Sequence, residues 1–318
     1  MAATPRHRDG FLESINKGFG RGLTLSFEDD TPLDRLIENN ELVAFRPGCV
    51  ESAFVYRKLT GSYLTGWHFD GSTADDSYMK KNAGMYYTDA RQKDALHKWY
   101  VDHYIDLLHN CQPTLCVGVA HFDIPLLAHL DIAGTCYNYP GIWRKLLENS
   151  HGKTILYVGN ATRSVQKAHA MGLNNIWKFP VPDFELKCVK TPQTTEGCEI
   201  FPDAHMAETA NRIIAEIKAV GHFDIAVLGC GAYGAPLLNT MRRLYPGKNM
   251  ASIGSDCLKM FGILTPRIRW DLSETEAQAI GTNIQYGYDT HPYYNKEYSV
   301  WVEEEPEDKN HPEPKYWK

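Results

Sequence analysis

The sequence has few of the features that mark membrane, secreted or nucleic-acid-binding proteins. No stretch approaches the roughly 18 consecutive apolar residues of a membrane-spanning helix, although 43% of the residues are hydrophobic. The first twenty residues contain basic side chains but no apolar segment behind them, so we predict no signal peptide and a cytoplasmic protein. Lys and Arg total 33 against 39 Asp and Glu, and no basic run interrupts this net charge of -6. We therefore expect no nucleic-acid partner.

Paired cysteine motifs are also missing. The 8 cysteines are spread along the chain without a C-x-x-C pair, which argues against a zinc ribbon or a redox dithiol. Most of them lie next to apolar residues, so we expect reduced, buried, small hydrophobic side chains. His97, His103 and His109 recur at a spacing of six, which does not put them on one helical face. The sequence therefore gives little support for a histidine metal site.

Short strand-like segments alternate with helical patterns along most of the chain. Apolar periodicity and capping residues predict helices over 31–40, 93–109 and 204–220. A short strand is predicted over 42–45, and further strands over 114–119, 154–158, 175–179, 223–228 and 250–253. This alternation predicts a doubly wound, mainly parallel α/β sheet with helices on both faces, followed by a C-terminal extension.

Changes in composition divide the chain into three predicted parts. Residues 1–28 form an N-terminal arm, 29–270 the α/β domain, and 271–318 a tyrosine-rich extension with an acidic, proline-containing tail. Within the domain, 180–202 contains four prolines and is predicted to be a crossover or an ordered loop. The tyrosines of 286–298 offer stacking faces for a glycan, a surface for self-association into a homo-oligomer, or packing of the extension on the domain.

Gly229, Gly231 and Gly234 form a G-x-G-x-x-G motif directly after an apolar strand and before a predicted helix. Glycines in this context permit a tight turn and bring backbone N–H groups close to an anion at the positive end of the helix. The motif therefore predicts a phosphate or nucleotide site, although glycines that merely pack a helix against a sheet show the same spacing. Tyr233 either covers the nucleobase or sugar or packs in the core.

The motif alone leaves the class of nucleotide open. A dinucleotide enzyme needs an acid about 20 residues further on to hold the ribose, and Asp256 lies near that distance from Gly234. The same strand, turn and helix are also typical of the first motif of S-adenosylmethionine methyltransferases. Oxidoreductase, methyltransferase and nucleotide-sugar transferase all fit this pattern.

The residues around the turn are more specific, and they resemble the GT-D-like glycosyltransferase domain family. The matching segments of its C-terminal half are 229–237, Ser252-Ile-Gly254 and Met260-Phe-Gly-Ile, with Arg267 and Trp270. Upstream segments that resemble the family, in the same order, are Arg46-Pro-Gly48-x-x-Glu51, Asn82-Ala-Gly84, and Pro182-x-Phe-Glu-Leu-Lys with Thr191-x-Gln193. The resemblance covers about residues 30–270. It implies a Rossmann-related fold and transfer of a sugar from a nucleotide-sugar donor to a glycan acceptor, in surface or capsid polysaccharide biosynthesis.

This chain departs from the family at two positions. The described members carry Asp-x-Glu, whose carboxylates hold a divalent metal, whereas this chain has Cys49-Val50-Glu51 and keeps one carboxylate. The resemblance implies Glu51 as metal ligand or base, with Mn²⁺ or Mg²⁺ bound together with the donor diphosphate. Those members also have a histidine shortly after the Ile-Gly of the last strand, where this chain has Ser255 and Asp256. Asp256 could restore the missing carboxylate.

Glycosyl transfer requires stabilisation of the leaving diphosphate and a base or acceptor-orienting carboxylate. We expect Glu51 and Asp256 to be catalytic, unless Glu51 only forms an ion pair with Arg46. The expected donor-binding residues are Arg46, Gly48, Asn160, Arg163, Gly229, Gly231, Tyr233, Gly234 and Gly254. Asn160 and Arg163 follow a predicted strand, where open α/β sheets present ligand contacts, although Asn160 fits a helix cap equally well. A methyltransferase, and a non-catalytic nucleotide- or glycan-binding protein on a degenerate scaffold, are the alternatives.

Overall fold

The computed structural model describes residues 24–26, 31–62, 76–115, 120–132, 135–195, 201–254, 257–264, 301–303 and 305. The strands in these ranges are β1 Thr24–Ser26, β2 Val43–Phe45, β3 Gln112–Leu115, β4 Thr135–Asn138, β5 Thr154–Gly159, β6 Glu185–Lys190, β7 Ile225–Gly229, β8 Asn249–Ser252, β9 Ile263–Leu264 and β10 Val302–Glu303. The helices are α1 Thr31–Glu38, α2 Cys49–Thr60, α3 Asp76–Tyr78, α4 Lys93–His109, α5 Ala120–His129, α6 Tyr139–Glu148, α7 Thr162–Met171, α8 Met206–Val220, α9 Gly234–Leu244 and α10 Cys257–Met260. None of them is long and apolar enough to cross a membrane.

Eight of the strands in these described ranges form one sheet in the order β1-β4-β3-β2-β8-β7-β5-β6. Every neighbouring pair in this sheet is parallel. Parallel neighbours need crossover connections, and helices supply them here on both faces of the sheet. The predicted doubly wound, parallel α/β fold is therefore confirmed.

Alternate residues of the central strands face two separate hydrophobic cores. In β5, Leu156 and Val158 enter a first core, whereas Ile155 and Tyr157 enter a second core. This alternation follows from the two-residue period of a strand. The first core lies between the sheet and α2, α4, α8 and α9, and the second lies between the sheet and α1, α6, α7 and α10.

The predicted helix over 93–109 agrees with α4, and those over 31–40 and 204–220 agree with α1 and α8 to within two residues. The prediction of a strand over 175–179 is wrong, because a short 3₁₀ helix, Leu173–Asn175, leads instead to Trp177, a buried core residue. The prediction of 180–202 as a loop is wrong as well, since it contains β6. β6 is an edge strand with mostly polar, partly exposed residues, so it lacks the apolar run that reveals a central strand.

Short segments near both ends of the chain pair with the domain. β1, which lies in the range assigned to an N-terminal arm, pairs with β4 at the edge of the sheet. β10, which lies in the range assigned to the extension, pairs with β9, and Trp301 is buried in the second core. The predicted boundaries at 28 and 270 remain predictions, and the tyrosines of 286–298 lie outside the described residues.

Two glycines let α9 and α10 approach the sheet closely. A Cβ atom on Gly229, at the end of β7, would lie 1.9 Å from Cys257 Sγ and 2.9 Å from the carbonyl oxygen of Gly254. A Cβ atom on Gly234, the first residue of α9, would lie 2.6 Å from Ser252 Oγ in β8. Both glycines are therefore required for the close packing of α9 and α10 against the sheet, independently of any ligand.

Replacing Gly229 with Ala should lower the free energy of unfolding by about 2 kcal/mol or more, because overpacked side chains of this kind cost about 1–3 kcal/mol. The double variant Gly229→Ala/Cys257→Ala should recover part of this loss, since Cys257 then lacks the Sγ atom that the new methyl group meets. Urea unfolding of the wild type, both single variants and the double variant measures the coupling. Strictly additive losses would contradict the contact.

A buried histidine lies beside an ion cluster at the start of α4. Asp76 contacts Lys58, at 3.0 Å, and Lys93, and its Oδ1 lies 3.7 Å from Nδ1 of His97. His97 is 4% exposed, and neither of its ring nitrogens has a hydrogen-bond partner among the described residues. Burial, together with the charge of Lys58, lowers the pKa of His97 to about 4. His97 is therefore neutral in the folded protein at neutral pH.

His97 should make the protein less stable as the pH falls from 6.5 to 4. Between its ordinary pKa of 6.5 and the folded value of about 4, the unfolded chain binds more protons than the folded chain. His97→Leu removes this group, so its free energy of unfolding should fall less steeply in that window, by up to about 1.4 kcal/mol per pH unit. His109→Leu, at the exposed end of the same helix, is the control. Parallel pH profiles for wild type and His97→Leu would contradict the prediction.

Candidate functional site

The candidate site lies where β8 ends, between the ends of β2 and β7. The chain leaves β2 and β7 toward α2 and α9, which cover the first core, but it leaves β8 toward α10, which covers the second core. Adjacent strands whose connections leave to opposite faces open a crevice at their carboxyl ends, and open α/β sheets bind ligands there. Most of the site residues predicted from the sequence lie in the loops around this crevice.

The turn from β2 into α2 explains the spacing of Gly48 and Glu51. Gly48 is the N-cap of α2, and its carbonyl accepts a hydrogen bond of 2.8 Å from Ser52 N. A Cβ atom on Gly48 would lie 2.0 Å from Glu51 Oε2, so the glycine leaves room for the Glu51 carboxyl to fold back over the turn. An acidic residue in the first helical turn also interacts favourably with the helix dipole.

Glu51 is a half-buried carboxyl with a raised pKa. Desolvation raises the pKa of Glu51, while a hydrogen bond from its own backbone N–H and the charge of Arg46 offset part of that rise. A carboxylate whose pKa is raised accepts a proton more readily at neutral pH than an exposed one does. Glu51 therefore has the properties of a base.

Arg46 connects the end of β2 to the end of β8. Its backbone N–H donates to the carbonyl of Ser252 at 2.9 Å, and its Nη1 donates to the carbonyl of Ile253 at 3.4 Å. Gly254 has a φ of 61°, and a Cβ atom there would lie 3.4 Å from Arg46 Nη1. The half-buried guanidinium thus lies against the turn after β8, on the same side as the start of α2.

The glycine-rich turn follows β7 on the other side of β8. Gly231 is exposed and has a φ of 55°, which favours glycine. A Cβ atom on it would lie 2.8 Å from the carbonyl oxygen of Ala83, so the Asn82-Ala-Gly84 segment packs directly on the turn. Burial raises the pKa of the Cys230 thiol to about 12, so this cysteine stays protonated and is a poor nucleophile.

Tyr233 lies in the core rather than in the crevice. It is 2% exposed and belongs to the first core, and its hydroxyl lies 3.4 Å from Thr194 Oγ1. Thr194 donates in turn to the carbonyl of Gly84 at 2.6 Å. This burial favours core packing over the hypothesis that Tyr233 covers a nucleobase or sugar.

Asn160 lies at the same edge of the sheet as the glycine-rich turn, because Gly159 of β5 pairs with Gly229 of β7. Asn160, after β5, donates from Nδ2 to Gln193 Oε1 at 3.0 Å, which joins two segments that the sequence singled out separately. Arg163 is exposed in the first turn of α7. Asp256 lies outside the described residues, so its catalytic role remains a prediction.

Tyr100, on α4, is the site residue that the sequence did not reveal. It is 0% exposed, and its hydroxyl has no hydrogen-bond partner among the described residues. Burial, together with the charge of Glu51, raises the pKa of Tyr100 well above the ordinary value. Its ring lies 6.1 Å from Phe54, three residues after Glu51 on α2. Nothing in the sequence distinguishes Tyr100 from the other buried residues of α4.

The described residues do not build a metal site by themselves. No three His, Cys, Asp or Glu side chains in those ranges lie close enough together to share an ion. Divalent Mn²⁺ or Mg²⁺ prefers several oxygen ligands, and Glu51 supplies one carboxyl, whose raised pKa disfavours the charged form. A metal that arrives with a donor diphosphate remains a prediction from the sequence.

Comparison with known proteins gives similarity to solved structures. No protein-family model matches the chain, and no curated protein matches it. One similar structure, described as a highly conserved domain of unknown function 1792 with a distinct glycosyltransferase fold, is 12% identical, covers 77% of this chain and 81% of its own, and has a TM-score of 0.44. Another, a selenomethionine-substituted structure of domain of unknown function 1792, is 10% identical, with the same coverage and a TM-score of 0.43.

Proposed function

We propose that this protein is a glycosyltransferase that takes a sugar from a nucleotide-sugar donor and passes it to a glycan acceptor. The observation that carries the proposal is the meeting of Arg46, Glu51 and the beginnings of α2 and α9 around the end of β8. This arrangement combines a cation and two helix N-termini with one desolvated carboxyl. The acceptor proposed from the sequence resemblance is a surface or capsid polysaccharide.

The diphosphate of the donor would bind between Arg46 and the glycine-rich turn. A guanidinium pairs with phosphate oxygens through charge-assisted hydrogen bonds. The helix dipole attracts anions to the beginning of a helix such as α9, which continues the 3₁₀ turn Gly231–Tyr233. During transfer, negative charge develops on the leaving diphosphate, so groups fixed in this way would stabilise the transition state.

Glu51 would act as the base that takes the proton of the attacking acceptor hydroxyl. Its raised pKa suits proton transfer near neutral pH, and Gly48 leaves the space in which its carboxyl lies. The same carboxyl also lies over the N-terminus of α2, so a structural role for Glu51 has to be separated from catalysis by substitution.

A ligand panel tests the class of donor. We expect the melting temperature to rise with at least one of UDP, GDP and TDP, because a ligand that binds only the folded state stabilises it by mass action. The panel also contains the matching nucleotide sugars, NAD and S-adenosylmethionine, each measured by thermal unfolding. An Arg46→Gln variant is the control and should lose most of the response to nucleoside diphosphates. A response to S-adenosylmethionine alone would make the protein a methyltransferase.

Glu51→Gln separates catalysis from helix capping. Gln keeps the shape of the side chain and still caps the helix, so the melting temperature at pH 7 should be unchanged or higher. Because the folded pKa is raised, the charged carboxyl costs stability as the pH rises through that value, and Gln removes this cost. Turnover of the donor identified in the panel should fall about 100-fold or more.

A purely structural role for Glu51 predicts the opposite outcome for Glu51→Gln. If Glu51 only holds Arg46 and the start of α2, the substitution should lower the melting temperature and spare the activity of the protein that stays folded. Nucleotide binding without any turnover in the wild type would instead favour a non-catalytic binding protein.

A further inference from the structure

We propose that the Tyr100 hydroxyl and the Glu51 carboxyl together bind one hydroxyl group of the sugar in the candidate site. The inference rests on the proposed function, since it assigns a sugar to the same crevice. It adds a ligand-binding residue that no sequence motif contains.

The Tyr100 hydroxyl is a buried polar group that lacks a partner. A buried hydroxyl without a hydrogen bond costs about 1–3 kcal/mol, and the great majority of buried polar atoms are satisfied. Tyr104, one turn further along α4, follows the usual rule, because its hydroxyl lies 3.0 Å from Ser52 Oγ. Both tyrosines are 0% exposed, so burial alone does not explain why one hydroxyl is paired and the other is not.

The unpaired hydroxyl lies near Glu51, since the charge of that carboxylate contributes to the raised pKa of Tyr100. The ring of Tyr100 packs against Phe54 of α2, and the Tyr104 ring lies 5.1 Å from Phe45, the last residue of β2. Ser52, the partner of Tyr104, is the residue next to Glu51. α4 also packs along α9, which begins at the glycine-rich turn. Tyr100 therefore lies between the start of α2 and the glycine-rich turn.

The neighbouring groups decide what kind of ligand atom fits there. A phosphate oxygen only accepts hydrogen bonds, and the Glu51 carboxylate would repel its charge. A sugar hydroxyl both donates and accepts, so it can donate to the Glu51 carboxylate and accept from the Tyr100 hydroxyl. The phosphates fit better against Arg46 and the helix beginnings. Tyr100 should therefore affect the binding of the sugar and leave that of the diphosphate alone.

Stability without ligand is the first test, with Tyr104→Phe as the matched control. Tyr100→Phe should leave the melting temperature unchanged or raise it, because the lost hydroxyl has no partner. Tyr104→Phe should lower it, because Ser52 loses a hydrogen bond. If Tyr100→Phe lowers the melting temperature as much as Tyr104→Phe does, the hydroxyl is satisfied inside the protein and the proposal is overturned.

Calorimetric titration is the second test. It uses the pair to which the wild type responds, chosen from UDP and UDP-glucose, GDP and GDP-mannose, or TDP and TDP-glucose. Tyr100→Phe should weaken binding of the nucleotide sugar about tenfold, the scale of one hydrogen bond, and keep binding of the nucleoside diphosphate within about twofold. Tyr104→Phe should change neither.

The remaining outcomes distinguish failure of the sugar assignment from failure of the proposed glycosyltransferase function. Equal weakening of both ligands by Tyr100→Phe, or of neither, overturns the sugar assignment and leaves the proposed function intact. Wild-type binding of the diphosphate but not of its sugar does the same. A wild type that binds none of the six compounds overturns the proposed function, and the sugar assignment with it.

Discussion

The close approach of α9 and α10 to β7 and β8 is the constraint on which the candidate site depends. Side-chain atoms at Gly229 and Gly234 would overlap Cys257 and Ser252, so these elements can meet only where the chain has no Cβ. Because α9 then begins directly beside β8, its first N–H groups lie at the same edge of the sheet as Arg46. The G-x-G-x-x-G motif therefore has a packing explanation that comes before any ligand, and a ligand would use a surface that packing has already created.

At this edge of the sheet, desolvation disfavours the charged form of Glu51, while nearby groups favour it. Glu51 loses solvation beside the sheet, and its own N–H, the beginning of α2 and Arg46 return only part of that energy. A protein selected for stability alone has little reason to keep a half-buried carboxyl and an unpaired Tyr100 hydroxyl together, since each is costly without a partner. Strained or unsatisfied groups that persist in this way tend to cluster at sites of function.

Local patterns in the sequence predicted the fold well and the site in part. The period of α4 and the apolar runs of β5 and β7 are set by burial on one or both faces, so they are visible in the sequence. β6 was missed because its residues are mostly polar and partly exposed, so its sequence lacks the apolar run that predicts a strand. Arg46 and Glu51 were predicted from the resemblance of Arg46-Pro-Gly48-x-x-Glu51 to the family element. The structure explains this spacing, because Gly48 leaves room for the Glu51 carboxyl within the turn. Tyr100 was missed because the lack of a hydrogen-bond partner for its hydroxyl depends on how the first core is assembled, and the sequence of α4 does not show it.

The pairing of β9 with β10 closes a loop in the chain. Trp301 and Val302 are 5% and 4% exposed in the second core, and Glu305 contacts Lys167 of α7 at 2.5 Å, so the chain returns to the domain close to where it left at Leu264. Closing a loop costs conformational entropy, and the burial of Trp301 and Val302 in the second core offsets that cost. A chain that lost the Trp301 side chain would therefore leave a gap in the second core and weaken the pairing of β10 with β9.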